Sequence, residues 1–493
     1  MQLAHSLRTA AVWSRSPHPA SRRLSWNTTP RSSIPVFSRI FKLIELMTLA
    51  AGALITGALI AWFWRGLQPG SAALAFTVSV VGGFEALRFA RAYTWERLAG
   101  ADGQVRWAGM AALATGLSSA LCLILLGAPL MWAATWGGVS LVVTSLSIFV
   151  LRTLATDRLR HWLKAGRFMT KVAVVGDEAG AALVQRLSMD DPACIAVIGR
   201  YSEERVHHDD RSGRRGDLLS LLLDCKLGRV DAIVLAVPAQ DRARLQRLSV
   251  LLQSCAQDIY TVAEAAEITG PEARPASLGL QSVLLIRENP LKDWRALSKD
   301  IFDRIGALGI LAVTAPLLLA VATLIRLESP GPVLFRQLRV GYNNQLFWIL
   351  KFRSMRNDVA DALATQQTVR NDPRVTRIGA VLRKLSIDEL PQLLNVLRGD
   401  MSLVGPRPHA PGTSADGHRV HTLVEGYPRR HLMKPGITGL AQVRGFRGGM
   451  YTTQQVADRL AADLEYIRRQ SIWLDMKIII MTVMREARSA RAF

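Results

Sequence analysis

The sequence predicts a membrane protein of mixed α plus α/β class in three parts: a four-helix transmembrane bundle, a Rossmann-like cytoplasmic domain, and a C-terminal domain with a re-entrant broken helix. Three observations carry this. Four apolar runs fall within the first 151 residues, short β-branched runs alternate with helical patterns over 171–265, and a fifth apolar run carries Pro316 in its middle. At 493 residues and 49% hydrophobic, the chain is no disordered polar protein, and its length suits two to four domains.

Residues 1–42 read as a basic arm, because the first 44 residues hold seven basic and no acidic side chains. That start looks like an organelle transit peptide, but the preferred reading is a disordered cytoplasmic arm. The bundle spans 43–155, from runs at 43–64, 71–92, 107–128 and 131–151, each near the ~20 residues that cross hydrocarbon as a helix. Glu45 and Glu85 read as structural carboxylates near helix ends or facing the bundle. Basic residues flank both ends of the bundle, so both face the cytoplasm by the positive-inside tendency.

Residues 165–268 read as a small parallel α/β domain on the strands KVAVVG, CIAVIGRY, DAIVLAVP and DIYTVA, with 269–289 as linker. Gly176 and Gly180 sit where a phosphate loop would begin, but the full GxGxxG spacing is missing and Asp177 and Glu178 would repel a pyrophosphate. A structural or regulatory role is expected rather than cofactor binding. The net charge of +22 points to phosphates as partners. The stretch Ser202 to Arg215 mixes acids with its bases and reads as a surface loop, so nucleic acid is not expected. The four cysteines, at 122, 194, 225 and 255, have neither zinc nor disulfide spacing and read as small buried hydrophobes.

In the C-terminal domain, 290–493, the run 301–325 is kinked by Pro316; soluble sequence after it favours a helix that enters and leaves on one face. Asp388 and Glu389 then stand side by side just before Pro391, at a helix start. Alone, the pair reads as a cap, with Ser386 and Glu389 matching a capping box. Around it Gly- and Pro-rich turns bring Lys351, Arg353, Arg374, Arg377, Arg383, Arg407 and Lys434, a set suited to clamping a diphosphate. A carboxylate among such cations is expected to have a depressed pKa and to attack phosphorus. A DxD metal motif and a Gly-Lys phosphate loop are both absent from the sequence, which argues against ordinary glycosyl transfer and P-loop chemistry.

The motifs LESPGPVLFRQLRVG, KFRSM, LSIDELPQLLNVLRGDMSLVGPRP and KPGITGLAQ resemble the bacterial sugar transferase family, the polyprenyl-phosphate glycosyl-1-phosphate transferases, over 290–493. The bundle and α/β domain match the family's long members. The stretches GPRPHAPGTSADGHRV and DLEYIRRQSIWLDMKI look most like the branch that starts exopolysaccharide synthesis with glucose. The resemblance implies that Asp388 attacks the β-phosphate of a nucleotide sugar, UDP-glucose, and releases UMP. The sugar phosphate then passes to polyprenyl (undecaprenyl) phosphate in the bilayer. Asp388 and Glu389 are the implied holders of Mg²⁺, with the catalytic domain on the cytoplasmic face of the bacterial inner membrane. A homo-oligomer is compatible with this reading, and bundle and α/β domain are expected to be accessory. Two departures stand out: Ala315-Pro316 replaces the family's Ser-Pro, and Arg447, Gly448 and Gly449 lack the acidic residue of glucose-type relatives. Galactose or another UDP-sugar, or a non-catalytic membrane sensor, remain the alternatives.

Overall fold

The computed structural model describes residues 34–63, 69–94, 97–98, 100, 103–176, 182–183, 185–187, 195–203, 215–238, 241–262, 273–278, 281–356, 373–446 and 448–491. The chain forms two compact units, one within 31–169 and one carried by 170–493.

The first unit is four helices: α1 (Ile34–Phe63), α2 (Pro69–Phe89), α3 (Gln104–Leu125) and α4 (Leu130–Lys164). α1 starts well inside the expected arm. Its first turns carry Phe37 and Phe41, which pack with each other, and Phe37 also packs on Trp162 and Phe168, so burial extends the helix. α3 and α4 touch through glycines: a Cβ on Gly116 would lie 2.8 Å from the Gly137 carbonyl. Small residues permit that approach where lipid offers no hydrophobic drive. Glu45 is a structural carboxylate, as expected, held by Arg152 at 2.7 and 3.2 Å with both side chains sealed from solvent. Glu85 is exposed and pairs with Arg88. These four helices and the long helix of the second unit are each long and apolar enough to cross a membrane.

The second unit begins with a seven-stranded sheet: β1 (Thr170–Val175), β2 (Ile195–Ser202), β3 (Arg215–Asp217), β4 (Ala232–Leu235), β5 (Asp258–Val262), β6 (Arg274–Leu278) and β7 (Gln281–Arg287). The order is β3-β2-β1-β4-β5-β7-β6, with the first five strands parallel. Helices α5 (Leu218–Lys226) and α6 (Arg242–Leu251) connect strands, and each starts at a capping aspartate, Asp217 or Asp241. The expected linker 269–289 contains the β6–β7 hairpin, whose antiparallel pairing with β5 extends the sheet edge. VLLI shows no alternation of burial, with Val283 and Leu284 buried and Leu285 and Ile286 half-buried, so a strand there is legible only with its partner in place. A Cβ on Gly176 would lie 2.4 Å from the Ala236 carbonyl, so strand packing accounts for this glycine. Asp177, Glu178, Gly180, Cys194 and most of the 202–215 loop lie outside the described residues. Cys225 and Cys255 are buried, as expected, whereas Cys122 is only half-buried.

The C-terminal domain opens with α7 (Asp293–Glu328), a single helix with Pro316 inside it. The expected break does not end the helix. Proline removes one hydrogen bond and bends the axis, and the turns on either side keep theirs. Thr314 donates its hydroxyl to the Ile310 carbonyl at 2.8 Å beside that gap. Both ends of α7 are anchored in the same domain. Near the start, Lys299 binds Asp303 at 2.8 Å and Asp475 at 3.0 Å, while Asp303 accepts the Leu403 N–H. Near the finish, Val321 and Ile325 pack on Phe352 and Leu382. Between the anchors Val313 and Leu319 are 82% and 71% exposed, an apolar surface that only lipid or protein can cover. A hairpin follows, β8 (Leu334–Val340) with β9 (Leu346–Phe352), then α8 (Arg377–Lys384), α9 (Gln392–Arg398), and β10 (Ser402–Val404) paired in parallel with β11 (Gly436–Thr438). Helices α10 (Thr453–Arg469) and α11 (Ile472–Arg491) close the core around Phe347, Leu393, Leu403 and Tyr466.

Candidate active site

Asp388 and Glu389 lie in the tight turn Ile387–Glu389 between α8 and α9. Ser386 precedes them with φ +55° and makes no side-chain cap, so the capping box suggested by the sequence does not form. The carboxylates are left for other work. Asn395, fully buried on α9, accepts the Leu350 N–H at 2.9 Å and donates to the Trp348 carbonyl at 2.8 Å. That double bond pins β9 to α9 and sets the register in which Lys351 reaches Glu389, 2.8 Å from Oε1.

Arg407 arrives from the other side, just past β10. Gly405 allows it: a Cβ there would meet the Lys434 carbonyl at 2.4 Å, so only glycine lets the 405–408 loop lie against β11. Arg407 then takes Glu389 with two nitrogens, Nη1 to Oε2 at 3.0 Å and Nη2 to Oε1 at 2.5 Å. Planar guanidinium and carboxylate match in this two-pronged bond.

The neighbouring carboxylates therefore separate electrically. Burial pushes Glu389 up, but Arg407 and Lys351 outweigh it and hold it well below the usual carboxylate range. Asp388 goes the other way. Burial and then the charge of Glu389 push it up to about 6, although Lys351, Arg383 and Arg407 pull against them. The depressed pKa expected for Asp388 belongs to its neighbour. The reason is geometric: the turn points Glu389 at the cations and leaves Asp388 buried with no hydrogen bond from any described residue. An ionised, desolvated and unpaired carboxylate is a reactive oxygen nucleophile.

The other expected contacts divide. Arg353 is buried and donates to the carbonyls of Pro330 at 2.7 Å, Ser329 at 2.6 Å and Ile325 at 3.2 Å, so it caps the end of α7 rather than facing a diphosphate. Lys434 is paired with Asp300 of α7 at 2.9 Å. Arg374 stands beside the isolated Met355–Val375 bridge, and Arg377 is exposed at the first turn of α8. A second group was not singled out from sequence. Arg430 is buried against Asp463 at 2.7 Å and donates to the Arg407 carbonyl at 2.8 Å and the Tyr427 hydroxyl at 2.6 Å. His409 and His431 stack beside it, both held well below the ordinary histidine range, first by burial and then by nearby positive charge. The signal was the density of Tyr, Arg and His in GYPRRH, which surface loops seldom show.

Among the described residues no cluster of three His, Cys, Asp or Glu side chains could hold a metal. The pair fits a hard cation in a narrower way. Asp388 accepts no hydrogen bond from any described residue, while Glu389 already accepts three. Such a pair suits Mg²⁺, which keeps waters and takes its remaining ligands from substrate phosphates.

A paired carboxylate turn, a cation clamp and a long apolar helix stand on one scaffold. The bacterial sugar transferase family model matches residues 294–489. The UDP-glucose:undecaprenyl-phosphate glucose-1-phosphate transferase of Escherichia coli (strain K12) is 37% identical over 69% of this chain and 73% of its own length. The undecaprenyl-phosphate glucose phosphotransferase of Komagataeibacter xylinus is 40% identical over 70% of the chain, which spans 64% of that relative. The exopolysaccharide production protein PSS of Rhizobium leguminosarum bv. phaseoli is 52% identical over 40% of this chain and 98% of its own. The chain belongs to the bacterial sugar transferase family.

Proposed function

We propose that the protein transfers glucose 1-phosphate from UDP-glucose to undecaprenyl phosphate, releasing UMP, as the first step of exopolysaccharide repeat-unit assembly. One observation carries the reaction class: Asp388 is buried and accepts no hydrogen bond from any described residue, beside a Glu389 neutralised by Lys351 and Arg407. An Asp388 oxygen attacks the β-phosphorus, the bond from that phosphorus to the bridging oxygen breaks, and UMP leaves with the electron pair. The aspartyl-phosphoglucose so formed is attacked by the phosphate oxygen of the lipid, which restores the Asp388 carboxylate. Mg²⁺ held by Asp388 and Glu389 supplies charge neutralisation on the diphosphate when bound. Arg407 and Lys351 keep Glu389 ionised and fixed, so no reorganisation is needed as charge shifts in the transition state.

The setting follows the same reading. α7 enters and leaves the cytoplasmic leaflet of the inner membrane, supported by its two anchors in one domain and its exposed apolar middle. A straight helix of that length would extend roughly 54 Å, far more than the ~30 Å of hydrocarbon. The four helices α1 to α4 span the membrane as a bundle. The parallel strand order of the α/β domain supports a Rossmann-like fold.

The test is a product assay. Membranes carrying the protein, given UDP-glucose and undecaprenyl phosphate, release UMP and form lipid-linked glucose diphosphate. Release of UDP instead would mean ordinary glycosyl transfer and overturn the proposal.

A further inference from the structure

A turn of the catalytic domain hydrogen-bonds into the α/β domain. The turn Tyr342–Gln345 between β8 and β9 inserts Asn343 and Asn344, both in left-handed backbone at φ +52° and +57°. Asparagine tolerates that conformation better than other residues with side chains. Asn343 donates to the Cys225 carbonyl at 2.7 Å and accepts the Ala256 N–H at 3.2 Å. Asn344 donates to the Ser254 carbonyl at 2.9 Å, and Gln345 donates to the Lys226 carbonyl. All four partners lie where α5 and α6 return to β4 and β5, at the starts of those strands. The opposite end, where doubly wound sheets take ligands, is left untouched by this contact.

The contact continues inward. Asn344 Oδ1 accepts from His431 Nδ1 at 2.6 Å, and His431 stacks on His409 with centroids 5.3 Å apart. The His409 carbonyl accepts the Val340 N–H at 3.0 Å, and Arg430 lies beside its ring. Arg430 holds the Arg407 carbonyl, and Arg407 holds Glu389. Asn344, His409, His431 and Arg430 are all at most 8% exposed, so each has little room to move without disturbing the next.

We propose that Asn344 is a positioning residue for the transfer reaction, through which the α/β domain holds Arg407 in register with Glu389. This rests on the reading of the Asp388–Glu389 site given above and replaces the accessory role expected for the α/β domain. Asn344 touches no reacting atom; it fixes the ring that fixes the arginine. A continuous run of contacts is not yet an energetic coupling, and the coupling is what the experiment measures.

The full chain is compared with Asn344→Gly, which keeps the left-handed backbone but deletes both hydrogen bonds, and Asn344→Asp, which keeps the acceptor for His431 and loses the donor to Ser254. Both variants lower kcat about tenfold with KM for UDP-glucose unchanged, because the arginine is displaced rather than lost. Amide exchange across 405–411 speeds up in both, a readout that needs no substrate. In a His431→Gln background Asn344→Gly brings little further loss, since the two act in series. Wild-type kcat and unchanged exchange in both variants would overturn the proposal. A wild-type Asn344→Asp beside an impaired Asn344→Gly would overturn the part of the α/β domain. If the wild-type chain releases no UMP, the reaction reading fails by itself, and the exchange data still decide the positioning role.

Discussion

Arg407 grips Glu389 with both terminal nitrogens, at 3.0 and 2.5 Å, and Asp388, the adjacent residue in the chain, accepts no hydrogen bond from any described residue. Two identical functional groups one residue apart are given opposite roles by which of them reaches the cations. Pairs whose surroundings push their pKa values apart are how proteins divide such work.

Asp388→Asn tests the nucleophile. An amide cannot form the acyl phosphate, so turnover falls by about three orders of magnitude or more, and labelled sugar phosphate is no longer trapped on the protein when the lipid is withheld. Stability moves the other way. Removing a carboxylate whose ionised form is disfavoured by burial adds about 1–3 kcal/mol of stability at neutral pH, read as a higher melting temperature. Near-normal turnover in the folded variant would return the pair to a local structural role.

The pH profile follows from the raised pKa. Asp388 at about 6 is protonated below that pH and ionised above it, so the rate with saturating substrates rises through pH 6 to a plateau near 7. The folded pKa exceeds the unfolded one, so the folded state binds the proton more tightly. This group's contribution to stability is therefore full below about 4 and lost as pH rises through 6. An acid limb centred at the ordinary aspartate value would contradict the burial of Asp388.

The buried pair in the bundle gives a stability test. Arg152→Met alone leaves Glu45 uncompensated and costs about 3–5 kcal/mol, whereas Glu45→Leu with Arg152→Met recovers most of it. Thermal aggregation of the detergent-solubilised variants reads both. Equal losses in the single and double variants would show that packing rather than charge holds this site.

Topology is tested at the flanks of α7. Cysteines placed at Arg295 and Leu327, both exposed, react with membrane-impermeant reagent only when the cytoplasmic face is open. Labelling of the Leu327 position from the outer face would mean that α7 spans.

Sugar choice is tested by competition. UDP-glucose outcompetes UDP-galactose by at least about tenfold, since a site that bonds one epimeric hydroxyl leaves polar groups unpaired with the other. Equal use would change the sugar and leave the reaction class standing.

Much of this protein was legible in one dimension. Four long apolar helices, the parallel strands and the Asp388–Glu389 turn are local patterns: runs of about 20 apolar residues, β-branched repeats, and carboxylates before a proline. The roles of the cations were not, because every arginine in a Gly- and Pro-rich segment carries the same charge. Arg407 binds Glu389 while Arg353 ties down the end of α7, and only the packing of β9 against α9 and of Gly405 against β11 separates them. The β6–β7 hairpin, the depressed pKa on Glu389 rather than Asp388, and the Asn344–His431 contact were likewise decided in three dimensions. Each depends on which groups lose water together, and desolvation is a property of the folded neighbourhood that residue order does not contain.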